Sequence, residues 1–316
     1  MSLGVRLLNG AYRLHLAPAW RRFQRAAHDP IRAQQARLEA LLQLSRDTAF
    51  AREHGLSQVR TLDQWQDAVP IRGYDELAPW IERVVAGEEA VLTREVPRIF
   101  ERSSGSTQAS KLIPYTPSFL SEFGRATGPW LYDLLSRRPA LRRGSSYWSI
   151  SPAGPRDERT PAGIPIGFGD DTEYFPRPVR RLLRQLLPVP AEVARAAAIE
   201  DCRYASLRYL LADASLSFVS VWSPSFLTLL LEFARAHTED LARDLERGEL
   251  NLPSGARLDL PSPPPARAQA AALREAFPRG GPLRLERVWP QLCLVSCWAD
   301  AAAARQVPAL RALLPE

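Results

Sequence analysis

Three short runs of aromatic and β-branched residues constrain this chain most. They are SSYWSIS at 145–151, SLSFVSVW at 215–222 and LCLVSCW at 292–298, and segments with helical periodicity separate them. Strands this short, spaced by tens of residues of helix, suit parallel pairing, because parallel neighbours need a long crossover. The expectation is an α/β fold with a mainly parallel sheet and flanking helices.

The first 95 residues read as a helical region, and residues 96–316 as the α/β part of one continuous domain. Asp29-Pro30 pairs an N-cap with a proline at the first helical position, and Leu38, Leu41 and Leu42 follow with a period near 3.6. Gly55 reads as the end of DTAFAREHG. Thr61 or Asp63 opens TLDQWQDAVP, and Gly87 stops GYDELAPWIERVVAGEE. VPRIFERSSGS is a short strand running into a Ser/Gly loop, and SFLSEFGRATGPWLYDLLSRR beyond it is helical. Ser223-Pro224 caps the helix SFLTLLLEFARAH, ELNLPSGARLDLPSPPPARAQ is extended and irregular, and AAAARQVPALRALL is a final helix.

At 46% hydrophobic and 24% charged residues, the composition is ordinary for a water-soluble domain. A net charge of +6 over 316 residues argues for no nucleic-acid partner. No window approaches the roughly 20 apolar residues of a transmembrane helix, and the arginine-bearing N-terminus lacks the pattern of a signal peptide. Cys293 and Cys297 read as core residues in a reducing compartment, hence the cytoplasm. His15, His28, His54 and His237 have no ligand at metal-binding spacing, so no protein metal site is expected.

The loop RSSGSTQASKLIPYT at 102–116 carries the chemistry. The chain holds 41 basic residues, and the only lysine among them is Lys111, at the end of this loop. Backbone N–H groups and hydroxyls around a glycine form a hollow suited to phosphate oxygens. A terminal ammonium adds a compact mobile charge where a guanidinium adds a wide planar fork. An Arg-biased sequence that keeps one lysine here is consistent with a demand for that geometry. The competing explanation is a polar turn with a chance lysine. The pattern is not the G-x-x-x-x-G-K-[ST] loop, because the second glycine and the terminal hydroxyl residue are missing.

SSGSTQASKLIPYT resembles the phosphate loop of the auxin-responsive acyl-acid amido synthetases, members of the adenylate-forming superfamily. DTAFAREHGL, VPIRGYDELAPWIERVVAGE, VWSPSFLTLLL and LCLVSCWADAAAA fall in that family's order. The resemblance implies the large N-terminal domain of an adenylate-forming enzyme. It implies ATP and Mg²⁺ as cofactors, and a small carboxylic acid and an amino acid as substrates. The acid is adenylated and the amine then displaces AMP to give an amide. By the same resemblance Ser103, Ser104, Gly105, Ser106 and Thr107 hold ATP phosphates, and Lys111 is catalytic, on the departing pyrophosphate. Trp148, Trp222 and Phe226, at or just past strand ends, are candidates for an acyl-substrate pocket; singly, each also suits an ordinary core.

Two departures qualify the resemblance. Gln108-Ala109-Ser110 stands where many members have a second glycine. The chain also ends before the family's Thr-Glu-Gly type motif, ribose-binding acid and C-terminal lid domain, so the expectation is an incomplete N-terminal portion. The rival readings are an acyl-thioester or acyl-protein synthetase of the same superfamily, and a non-catalytic remnant that binds nucleotide or acid weakly.

Overall fold

The computed structural model describes residues 3–103, 111–149, 158–168, 174–175, 177–261, 263–278 and 282–314. Its strands are β1 (Ile99–Arg102), β2 (Leu112–Tyr115), β3 (Ser145–Trp148), β4 (Leu216–Ser220) and β5 (Leu294–Ser296). The chain divides into two units: Met1–His15, Leu131–Ala153 and Gly169–Glu316 form one, and Leu16–Trp130 with Gly154–Phe168 the other.

The first unit carries the α/β sheet. Its order is β3-β4-β5 and both pairs are parallel, with Tyr147 opposite Val219 and Val219 opposite Val295. The helices Arg177–Leu186 and Ile199–Ala212 fall between β3 and β4 in the chain, and Pro224–Ala236, Thr238–Arg247 and Arg267–Ala276 between β4 and β5. These are the long crossovers that parallel strands require. Alternation along β3 and β4 sends Tyr147 and Val219 to one face, where they join Leu227, Leu230 and Leu231 in the main core. Ser146, Trp148 and Phe218 go to the other, against Tyr12, Leu131, Leu183 and Leu186.

Helix Ile199–Ala212 is buried on nearly every side. It includes Arg208, which is 0% exposed. The guanidinium donates to the carbonyls of Glu249 (2.9 Å), Asp244 (3.1 Å) and Pro264 (3.2 Å). Burial pushes the Arg208 pKa down, and the Asp244 carboxylate opposes that push. Asp244 itself accepts from the Tyr204 hydroxyl and from the backbone and side chain of Asn251. The irregular Pro-rich stretch is therefore fixed by a buried cation rather than by a strand or helix.

Two expectations for this unit change. Cys293 is exposed and Cys297 only partly buried, because they flank β5 at the edge of the sheet; the buried cysteine is Cys202, whose thiol burial pushes up to about 11. The final helix begins as a 3₁₀ turn over Ala301–Gln306 and is α-helical only over Val307–Arg311.

The second unit begins with the expected helices, and its local signals are read correctly. Asp29 accepts from the Arg32 N–H. Thr61, not Asp63, caps Leu62–Ala68 through a reciprocal capping box with Gln64. Gly87, at φ 94°, ends Tyr74–Val85 while the next N–H returns to the Arg83 carbonyl. Phe50, Trp80, Ile81, Val84, Val91 and Phe100 form the core of this unit.

The Ser/Gly loop does not join a strand to a helix. It joins β1 to β2, an antiparallel pair with Glu101 opposite Ile113 and Arg102 opposite Leu112. The helix Pro117–Arg137 follows only after β2. Pro114 disguises the strand, since proline lacks the N–H that a ladder uses. Here it faces Phe100 at a position where β1's own hydrogen bonds point the other way: the Phe100 N–H donates to Pro165 and its carbonyl accepts from Gly167.

Candidate phosphate-binding hairpin

The antiparallel ladder fixes the two ends of the loop. The Ser103 N–H donates to the Lys111 carbonyl at 2.9 Å, one rung beyond the Arg102–Leu112 pair. The period of two then places Glu101 and Ser103 of one strand, and Lys111 and Ile113 of the other, on one face of the ribbon. Phe100 and Leu112, on the opposite face, pack into the core of the unit.

Ser103 Oγ is buried and has no hydrogen-bond partner among the described residues. A buried hydroxyl without a partner is costly and suits a site that accepts a ligand oxygen. The Lys111 Nζ lies 5.1 Å from the centroid of the Tyr74 ring. Ser104, Gly105, Ser106 and Thr107 lie outside the described residues.

Glu101 is a member of this face that the sequence reading passed over. Its Oε2 accepts from the Phe168 N–H at 3.2 Å. Burial pushes its carboxyl pKa up, and the Phe168 bond opposes this. The signal was present in the strand IFER: Glu101 stands two residues before Ser103, so the strand period puts both on one side. Arg102, pointing the other way, pairs with Glu158.

The aromatic candidates lie in the α/β unit. Trp148 ends β3, and Trp222 follows the end of β4. Trp148 therefore sits at, and Trp222 just past, the carboxyl end of a parallel strand, where open α/β sheets bind ligands. Trp148 lines a narrow cleft with Tyr12, Leu131, Leu183 and Phe218, and its ring centroid is 5.8 Å from that of Phe175. Trp222 is 58% exposed. Phe226, in the first turn of Pro224–Ala236, packs against the core on the face of Tyr147 and Val219. The sheet thus separates Phe226 from Trp148.

The family model for the GH3 family N-terminal domain matches residues 19–316. A probable indole-3-acetic acid-amido synthetase GH3.2 of Oryza sativa subsp. japonica is 23% identical over 291 residues, covering 87% of this chain and 46% of the relative. A jasmonoyl–L-amino acid synthetase GH3.3 of the same plant is 24% identical over 261 residues, covering 81% and 55%. Among solved structures, the AtGH3.15 acyl acid amido synthetase in complex with 2,4-DB superposes with a TM-score of 0.74 at 18% identity, over 90% of this chain and 50% of that one. A second structure of GH3.15 acyl acid amido synthetase gives 0.69, also at 18% identity, over 89% and 50%. The chain spans about half the length of the curated relatives it matches. With its α/β architecture and a family match running from residue 19 to residue 316, this chain belongs to the GH3 family, through that family's N-terminal domain.

Proposed function

We propose that this chain carries the ATP phosphate-binding part of an acyl-acid amido synthetase reaction. The observation that supports this most is the closure of the loop by the Ser103–Lys111 rung, which gathers a buried hydroxyl with no partner among the described residues and the only lysine of a GH3-family chain at one end of a ribbon. In the reaction, a carboxylate oxygen attacks the α-phosphorus of ATP, the bond to the bridging oxygen breaks, and pyrophosphate leaves. An amino acid's amine then attacks the acyl carbon, AMP departs, and the amine's proton is released.

In this reading Ser103, with Ser104, Gly105, Ser106 and Thr107, holds the phosphates, and the Lys111 ammonium meets the charge that grows on the departing pyrophosphate. Fixed donors aimed at developing charge are the main lever in phosphoryl chemistry. Among the described residues no three of His, Cys, Asp and Glu stand close enough to hold a metal ion. A Mg²⁺ held chiefly by nucleotide phosphates and water, the usual manner of this ion, fits that arrangement; bound there, it neutralises phosphate charge. The rice relatives are named for indole-3-acetic acid and for jasmonoyl conjugates, so the substrate class extended to this chain is a small carboxylic acid with an apolar body. In this reading Trp148 and Trp222, at the strand ends, meet such a body, and Phe226 supports from the core.

Acid-dependent exchange of labelled pyrophosphate into ATP tests the reading. Exchange that needs a carboxylic acid and falls in Lys111→Ala supports it. Binding of Mg–ATP without exchange, whatever acid is supplied, favours the non-catalytic remnant. A chain that binds neither ATP nor a carboxylic acid contradicts both.

A further inference from the structure

Tyr74 opens the helix Tyr74–Val85 directly after the N-cap Gly73, whose N–H is held by Glu76 at 2.9 Å. The start of a capped helix is a fixed place, so the ring has little freedom. The Tyr74 hydroxyl donates to the Leu112 carbonyl at 3.0 Å and accepts from the Leu112 N–H at 2.9 Å, across 38 residues of sequence. A phenol can do both at once. Leu112 stands opposite Arg102 and beside the bonded rung Ser103–Lys111. In an antiparallel ladder the bonded and non-bonded positions alternate, so its own N–H and C=O turn away from β1. The one hydroxyl closes that outer edge at the residue next to the loop.

The same side chain also meets the lysine. Lys111 Nζ is 5.1 Å from the Tyr74 ring centroid, inside the range at which a cation is drawn to an aromatic face. A phosphate oxygen attracts an ammonium more strongly than a ring does, because it adds a charge-assisted hydrogen bond.

We propose that Tyr74 is a positioning residue of the phosphate site: its hydroxyl fixes the strand that returns from the loop, and its ring holds the Lys111 ammonium beside the loop, where a bound phosphate shares it. This rests on the phosphate role of Lys111 proposed above. Without the ring, the ammonium of a long flexible side chain samples solvent and must be ordered at each binding event. With it, the charge is already held beside the loop.

The chain's single lysine makes this directly observable. Full-length protein labelled with ¹³C-lysine gives one side-chain signal. In the ligand-free protein its ε-protons are expected upfield of the unstructured-lysine value, shifted by the ring. Saturating Mg–ATP or inorganic pyrophosphate should move the signal again while leaving it upfield of the unstructured value. Tyr74→Leu should abolish the upfield shift, and Tyr74→Phe should keep it while losing the Leu112 bonds. Both variants should weaken Mg–ATP binding about 2- to 10-fold. In the Lys111→Ala background, Tyr74→Leu should weaken binding no more than Tyr74→Phe does, a coupling of the ring to the lysine that a merely structural role would not produce.

A lysine signal at the unstructured position in the wild type, or unchanged by Tyr74→Leu in a folded sample, overturns the proposal. So does an affinity loss that adds in full to that of Lys111→Ala. If Lys111→Ala weakens nucleotide binding and the Tyr74 variants do not, this inference alone fails; if Lys111→Ala is itself silent, the phosphate-loop reading fails.

Discussion

The Ser103 N–H donates to the Lys111 carbonyl at 2.9 Å, so the residues bounding the Ser/Gly loop are partners on one antiparallel rung. A loop closed in this way starts and ends at a fixed separation, because cross-strand neighbours keep to the spacing of the ladder. The lone lysine is therefore placed by backbone pairing and not by the length of a free loop. That relationship gives both ends of the Ser/Gly loop a defined position in this fold.

Arg208 should be the most costly single truncation in the α/β unit. Its guanidinium is buried and serves the carbonyls of Asp244, Glu249 and Pro264. Arg208→Ala leaves those carbonyls and the Asp244 charge without it, at a cost of about 3–5 kcal/mol. Arg208→Lys should recover only part of this, since one ammonium cannot span three carbonyls in the guanidinium's planar arrangement. Chemical denaturation of the two variants checks the order: alanine least stable, lysine intermediate, wild type most stable.

Gly144 precedes β3 and has no room for a side chain. A Cβ there would stand 1.7 Å from the Ser215 carbonyl oxygen and 2.8 Å from the Ser217 Cβ. Ser215 O is also the acceptor for the Ser145 N–H at 3.1 Å. Gly144→Ala must push β3 away from β4 at its first rung, and the expected loss is on the order of 2–4 kcal/mol. Thermal unfolding measures it; a melting temperature equal to the wild type would show that the strand can shift at no cost.

Glu101 gives the β1–β2 hairpin a pH signature. Burial raises its folded pKa above the ordinary carboxylate value. Between those two values the native state holds a proton that the unfolded chain has released. The contribution to stability is therefore fully present below the ordinary value and lost as pH rises through the raised one. Glu101→Gln keeps an acceptor for the Phe168 N–H and removes the titration. Denaturation at pH 4 and pH 7 should show a smaller loss in the variant than in the wild type over that interval. A larger loss would mean that the charged carboxylate is the favoured form.

The parts of this fold that were legible in the sequence are those set by neighbouring residues. Asp29, Thr61 and Ser223 cap helices through bonds to N–H groups two or three residues on, so the local pattern suffices. The parallel strands were legible because their alternation is local and their spacing forces crossovers. β2 was hidden by Pro114, whose tolerance depends on which edge of a strand faces a partner. The separation of Trp148 from Phe226 depends on which face each residue takes in the assembled sheet. Arg208 read as one more arginine in a chain rich in them, until burial gave it three carbonyl partners. Tyr74 joins the hairpin only through contacts that no local pattern encodes, whereas the side that Glu101 takes follows from the strand period.

The central claim is that this hairpin grips the phosphates of ATP through Lys111. Calorimetric titration of Mg–ATP into the wild-type chain and into Lys111→Ala tests it most directly. The lysine is partly exposed, so the variant should unfold at the wild-type temperature. Loss of one charge-assisted contact, about 1.5–3 kcal/mol, predicts a dissociation constant roughly 10- to 100-fold weaker in Lys111→Ala. Equal dissociation constants for the two proteins would contradict the account.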